Sequence, residues 1–273
     1  MLALNSDKMK ANTLKQRVAI RVDANRKIGT GHFMRCVTLA NALAKYGIVT
    51  MFFSRDLDAV HQDILVKNNH ELFKLVSHPV NKPTTIEAST SMITHADWLS
   101  VTQSFDADEC IEELKKNSWL FLIVDHYGID WVWETKIKSH ISNIIVIDDL
   151  ADRRHISRLL IDQNLGRKAF DYNGLVPDDC TLLLGPSFAF LRPEFLELRK
   201  KHVIKKNNTN DFNILISMGG VDPDNYTQRI LTVLDRCKLG NSTKIVIVLG
   251  NSSPWKDKIL KFSRSCNYDV EVF

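Results

Sequence analysis

The sequence predicts an α/β protein of two parallel-sheet domains, the second of them incomplete, and three observations carry that prediction. A glycine turn, Ile28-Gly29-Thr30-Gly31, stands between an apolar run at 18–22 and a helical pattern over 33–46. The unbroken apolar run Trp119-Leu120-Phe121-Leu122-Ile123-Val124 reads as a central parallel strand buried on both faces. Beyond a polar connector, the order strand, glycine turn, helix begins again at residue 212.

Each element has its own signal. In the first helix Phe33, Val37, Ala40 and Ala44 recur at i, i+4, i+7 and i+11, one face for a sheet. Residues 48–53 read as a second strand, 57–67 as a helix and 72–76 as a short strand, with His61 and His70 solvated. Residues 77–106, with Pro79, Pro83 and many Ser and Thr, read as a long surface loop with some helix, Trp98 packing beneath it. A helix follows over 107–116, and the strand after it ends at Asp125-His126-Tyr127-Gly128. The strand at 144–147 ends likewise at Asp148-Asp149, and a strand at 159–162 precedes Gln163-Asn164-Leu165-Gly166. Residues 167–179 read as a loop, and 182–186 close the first domain. Pro193 pushes Arg192 toward an extended conformation and opens a helix over 193–201.

Lys200, Lys201, Lys205 and Lys206, with Asn207, Asn208 and Asn210, mark the connector. The expected domains are 17–202 and 203–273, behind a flexible leader over 1–16. In the second, a strand at 212–218 leads to Gly219-Gly220, and Asp222 and Pro223 are expected to cap and open a helix running to 236. A strand at 244–249, then Gly250 and Ser253-Pro254, repeat the unit, and 269–273 begin a third strand. Two such units make a Rossmann-like beginning.

Composition excludes several classes. With 44% apolar and 25% charged residues the chain is globular, and no stretch has the length of a membrane span. A balance of 36 basic to 32 acidic residues, net +4, argues against nucleic acid but suits an anionic small molecule. Five cysteines without close pairing argue against a disulfide framework or zinc site and favour a reducing cytoplasm.

The chemistry gathers at strand ends. Gly29 and Gly31 allow positive φ and close backbone approach, so the turn can face its amides to a ligand at a helix N-terminus. His32, in the first helical turn, is positioned to act as a general base or else merely packs or caps. Cys36 suits packing better than nucleophilic chemistry. Asp23, Asp125 and Asp148 could chelate a metal, but aspartates that hold turns explain the same pattern better. Asp125 and His126 are either structural or contact substrate hydroxyls and amides. Arg192 offers its fork to a phosphate or carbonyl, or pairs with Glu194 or Glu197 at the surface. The turn Gly219-Gly220 binds an anion or a uracil carbonyl, or is a plain tight turn.

Several separated motifs, in order, resemble one family. Arg21-Val22-Asp23-Ala24-Asn25, Ile28 to His32, Met34-Arg35-Cys36, Val124 to Gly128, Ile147-Asp148-Asp149, Phe190 to Phe195 and Ser217-Met218-Gly219-Gly220 resemble the nucleotide-sugar hydrolases of pseudaminic acid biosynthesis. The resemblance runs from about residue 17 to the last residue. It implies a GT-B-like pair of Rossmann-like domains that hydrolyses a UDP-linked 2,4-diacetamido-2,4,6-trideoxy sugar without metal or cofactor. It implies His32 as the catalytic base, with Gly29, Gly31, Arg35, Asp125, His126, Tyr127 and Arg192 on the substrate. Met218, Gly219, Gly220, Asn225 and Gly250 would hold the nucleotide. A cytoplasmic monomer with a UDP-sugar as its partner is expected, with neither nucleic acid nor membrane. The second domain of the family continues further, through a small-residue loop and a glutamate, so a shortened C-terminus is expected here. A glycosyltransferase of the same architecture and a non-catalytic, truncated nucleotide-sugar binder are the alternatives.

Overall fold

The computed structural model describes residues 16–25, 27–76, 93–201, 213–240, 242–250 and 253–273. Seven strands form one sheet: β1 (Arg17–Val22), β2 (Val49–Ser54), β3 (Glu71–Lys74), β4 (Phe121–Asp125), β5 (Ile144–Ile147), β6 (Leu159–Asp162) and β7 (Thr181–Leu184). Their order is β3-β2-β1-β4-β5-β6-β7 and every pairing is parallel. That is a doubly wound sheet whose strand order reverses between β1 and β4, so a crevice opens at their carboxyl ends.

Alternation along β1 explains the two layers. Val18, Ile20 and Val22 pack with Phe33, Cys36, Val37 and Ala40 of helix α1 (Gly31–Ala44) on one face. Ala19 faces the other way, with Leu122 and Val124 of β4, into a core closed by α3 (Gln103–Leu114) and α4 (Trp131–Lys138). The helix α2 (Ala59–Lys67), between β2 and β3, starts at Asp58, whose carboxylate accepts from the His61 amide. At the end of the described first unit, α5 (Pro193–Lys201) leaves Phe195, Leu196 and Leu198 exposed.

Three strands form the second sheet: β8 (Asn213–Ile216), β9 (Lys244–Ile247) and β10 (Asp269–Val272), parallel in the order β10-β9-β8. Its core is small: Ile216, Leu231, Ile245, Ile247 and Ile259, under α6 (Tyr226–Arg236) and α7 (Lys256–Ser263). The fold is therefore α/β with two parallel Rossmann-like sheets, as expected. Residues 1–15 of the leader and 202–212 of the connector region lie outside the described residues, as do 77–92 of the expected loop.

Several expectations need correction. α3 begins at Gln103 rather than 107, because the Thr102 hydroxyl accepts from the Phe105 amide. α4 was not anticipated; its Trp131, Trp133 and Ile137 read poorly as a helical stripe, yet Asp130 accepts from the Val132 amide and starts it. His61 and His70 are buried, not solvated. The His61 ring stands edge-on to Phe33 at 4.9 Å, and His70 Nε2 is 2.8 Å from Asn41 Oδ1. In the second unit the helix starts at Tyr226, three residues after Pro223, with Asn225 as its cap at φ 53°. Asp222 still serves that helix: its buried carboxylate accepts from the Tyr226 and Thr227 amides at 2.8 and 2.9 Å.

A buried ionic network ties α3 to the sheet. Arg21, fully buried on β1, donates to Asp106 through Nε at 3.0 Å and Nη2 at 2.8 Å. Arg55 Nη2 reaches the same carboxylate at 2.8 Å, and the Trp133 indole donates to it at 2.9 Å. Asp23, at the end of β1, pairs with Arg21 and accepts from Ser54 Oγ and the Arg55 amide. The aspartate at this strand end thus holds the turn after β2, the role expected for it.

Candidate active site

The carboxyl ends of β1 and β4 meet the N-terminus of α1 at one point. Asp125 is the last residue of β4, beside Val22 of β1, and 1% exposed. His32, Arg35 and Cys36 occupy successive positions on one face of α1 and all converge on its carboxylate. His32 Nδ1 lies 2.6 Å from Oδ1, and Arg35 donates through Nε and Nη2, each at 2.6 Å. The buried Cys36 thiol donates to Oδ2 at 3.4 Å, and burial pushes that thiol up. A carboxylate on Nδ1 fixes the imidazole tautomer and orientation, leaving Nε2 to accept a proton.

Arg35 also donates to Asp149, which accepts from the Tyr127 hydroxyl at 2.8 Å. Burial, then the Asp149 charge and hydrogen bond, raise the Tyr127 hydroxyl well above its ordinary value, so it stays a donor. The Tyr127 ring stands edge-on to His32 at 4.4 Å. Trp98 stacks on the other side of this pair, 5.4 Å from Tyr127 with rings 20° apart, and His95 lies 4.5 Å from Trp98. An aromatic wall therefore borders the imidazole.

The glycine turn closes the remaining side. Gly29 takes φ 83°, and its amide donates to Asn25 O at 2.8 Å, so that amide is already used. Gly31 does not need positive φ; it opens α1, and Thr30 caps the helix without a side-chain hydrogen bond. The first-turn amides thus carry no capping oxygen from the Thr30 side chain. Gly220 of the second unit comes so near that a Cβ there would lie 3.0 Å from Thr30 Oγ1. Gly219 takes φ 80°, and Gly250 packs on the Gly220 backbone so closely that no side chain fits. The two glycine turns face one another.

The structure brings His32, Arg35, Asp125 and Tyr127 together and sets other candidates apart. His126 is 3% exposed, with Nε2 3.2 Å from Asp23 Oδ2 and Nδ1 accepting from the Gly128 amide. Neither Asp125 nor His126 presents a surface for direct substrate contact, because strand ends at the centre of a covered sheet are desolvated. Arg192 lies with its guanidinium 5.4 Å over the Phe195 ring, and among the described residues no ion pair joins it to Glu194 or Glu197, the latter pairing with Lys200. Asn225 spends its amide on α6, accepting from the Gln228 amide and donating to Gln228 Oε1 at 2.8 Å. Met218 is 38% exposed beside the turn. Asp148 accepts from the Ala151 amide and pairs with Arg153 at 2.8 Å. Among the described residues no three His, Cys, Asp or Glu side chains converge as metal ligands. Sequence reasoning missed Asp149, His95 and Trp98, the last two because they follow the Pro/Ser/Thr-rich stretch that carries no periodic signal.

The buried carboxylates set an acid limit. Burial alone would raise Asp125, but the His32 and Arg35 charges, with their hydrogen bonds, hold it well below the usual range. Asp23, Asp106 and Asp148 are lowered in the same sense by Arg21, Arg55, Arg153 and His126 against their own burial. With folded values below unfolded ones, their stabilisation is complete above about pH 4 and is lost as pH falls through the folded values. His126 and His70 are lowered by burial, so the unfolded chain protonates first below about pH 6.5 and stability declines gently from there. Thermal melts across pH should show a shallow limb and then a steep one; a Tm independent of pH down to about 3 would contradict these assignments.

No protein-family model matches the chain. A UDP-2,4-diacetamido-2,4,6-trideoxy-β-L-altropyranose hydrolase from Campylobacter jejuni is 33% identical over 165 residues, 60% of this chain and 56% of that one. The chain is similar to a nucleotide-sugar hydrolase. The resemblance read from the motifs is thus borne out across more than half of the chain, which spans little more than half the relative's length. Among solved structures, Phytolacca americana UGT2, in complex with UDP-2-fluoro-glucose and pterostilbene, superposes with a TM-score of 0.57 at 9% identity. That match covers 95% of this chain and 71% of UGT2. Acinetobacter baumannii MurG gives 0.52 at 9% identity, over 94% of this chain and 65% of MurG. These likenesses show the fold, a GT-B-like one.

Proposed function

We propose that this chain hydrolyses a UDP-linked 2,4-diacetamido-2,4,6-trideoxy sugar, releasing UDP and the free sugar. The observation that carries the reading is the His32–Asp125 pair, oriented at the switch point of the sheet with Nε2 left to accept a proton. His32 Nε2 takes a proton from water as the water oxygen attacks the anomeric carbon. The bond from that carbon to the diphosphate oxygen breaks, its electron pair leaves with UDP, and configuration inverts. Asp125 holds the imidazole and compensates the charge it gains, and Arg35 keeps Asp125 ionised. Asp125 would act on the substrate through His32 and Arg35, and Tyr127, whose proton is held by Asp149, by accepting from a substrate N–H or O–H at its hydroxyl oxygen.

The uncapped first turn of α1 supports a place for the departing diphosphate, with the amides of Gly31 and His32 as donors. Residues 203–273 would form the nucleotide-binding domain, through Gly219, Gly220 and Gly250, opposite the catalytic domain at 17–202. Binding of substrate by Arg192 rests on its motif alone. A UDP-sugar enzyme of the cytoplasm, acting as a monomer, fits the five unpaired cysteines, two of them buried thiols. Among the described residues no helix is long and apolar enough to cross a membrane.

Incubation with the UDP-sugar in ¹⁸O-labelled water, followed by phosphorus NMR, tests the chemistry. Label in the free sugar and none in UDP is the expected result. Label in UDP would replace attack at carbon by attack at phosphorus, and UDP release only on addition of an acceptor would replace hydrolysis by glycosyl transfer. If no UDP forms, the hydrolase reading falls.

A further inference from the structure

We infer that Trp98, backed by His95, is the platform on which the sugar of the substrate stacks, and that it selects for sugars with apolar substituents. The inference rests on the hydrolase reading and assigns it a specificity-determining residue. The segment carrying Trp98 is anchored elsewhere: Leu99 is 1% exposed in the core under α3, while Trp98 is half-buried and, among the described residues, belongs to none of the core clusters. Its ring packs on Tyr127, His95 and His32 at the site instead of in the core beneath α3. Three contacts hold the segment across the mouth of the site. Asp97 pairs with Lys27 of the glycine loop, the His95 carbonyl crowds Gly128 so that a Cβ there would sit 3.0 Å away, and Trp98 lies flat against Tyr127. The Trp98 ring is thereby 6.2 Å from His32, about one sugar ring's reach from the imidazole that activates water.

The chemistry is complementary. A 6-deoxy sugar with two acetamido groups presents three methyl groups and the axial C–H face of its ring, and an indole face matches such a surface. A sugar with hydroxyls at those positions would have to desolvate them against the indole face, which offers no hydrogen-bond partner.

Steady-state kinetics of UDP release test the assignment, with UDP itself as a competitive inhibitor. Trp98→Ala should raise KM for the diacetamido-trideoxy substrate about tenfold or more, leave kcat within about threefold, and leave inhibition by UDP unchanged. Trp98→Phe should recover most of the affinity, and His95→Ala should show a smaller rise. Because Trp98 lies outside the core, the melting temperature of Trp98→Ala should stay close to that of the parent. An unchanged KM, or a UDP inhibition constant that rises in step with KM, overturns the platform while leaving the hydrolase reading intact. A parent chain that neither binds nor cleaves the substrate removes the hydrolase reading, and the platform with it.

Discussion

Replacing His32 by alanine is expected to lower kcat by about 10²-fold or more, with KM changed by less than about threefold. The expectation follows from where the imidazole sits. Its Nδ1 is engaged by Asp125 at 2.6 Å, so the ring adds little to substrate affinity, while in the proposed mechanism its Nε2 is the acceptor that water needs. The substitution should also spare the fold, since Asp125 keeps two hydrogen bonds from Arg35 and one from Cys36. Rates and melting curves for His32→Ala and His32→Gln separate the two effects. Full turnover in either variant removes His32 as the base and returns the site to a binding role.

Asp106→Asn is expected to show the largest loss of stability, about 3–5 kcal/mol. This carboxylate is fully buried between Arg21 and Arg55, and its neutral isostere leaves two desolvated guanidinium groups short of a countercharge. Asp23 and Glu109 remain beside those arginines and limit the damage without replacing a shared bidentate acceptor. Against a total stability of roughly 5–15 kcal/mol, a loss of that size would leave much of the chain unfolded in moderate urea. Urea unfolding of the parent and Asp106→Asn gives the difference; a change under about 1 kcal/mol would mean that the network is not needed to hold α3 on the sheet.

Legibility in the sequence followed physical range. β1, α1 and β4 were readable because apolar periodicity and continuous apolar runs are local consequences of burying one helical stripe or both strand faces. α4 was not, since Trp131, Val132 and Trp133 lie side by side and only the tertiary core decides which ring goes inside; Trp133 is buried and Trp131 is exposed. The start of α6 was misplaced because the chain passes through left-handed conformations at Asp222 (φ 49°) and at the cap Asn225 (φ 53°) before the helix begins, a geometry that no sequence period encodes.

The site divides in the same way. The glycine turn, His32 at the head of a helix and an aspartate at a strand end could each be read from residues. That Asp125 is the partner of His32 was not readable, because it depends on β4 lying beside β1, a pairing between residues about a hundred positions apart in the chain. The burial of His126, His61 and His70 depends likewise on what covers them. By itself the sequence determined the α/β class, the glycine turns and the candidate base, since local sterics and hydrophobic periodicity act within a few residues. Only the tertiary structure decided which carboxylate orients that base, which histidines are withdrawn from solvent, and that Trp98 stacks on Tyr127 beside His32. Contacts and desolvation are set by the parallel order of the strands and by the helices packed across them.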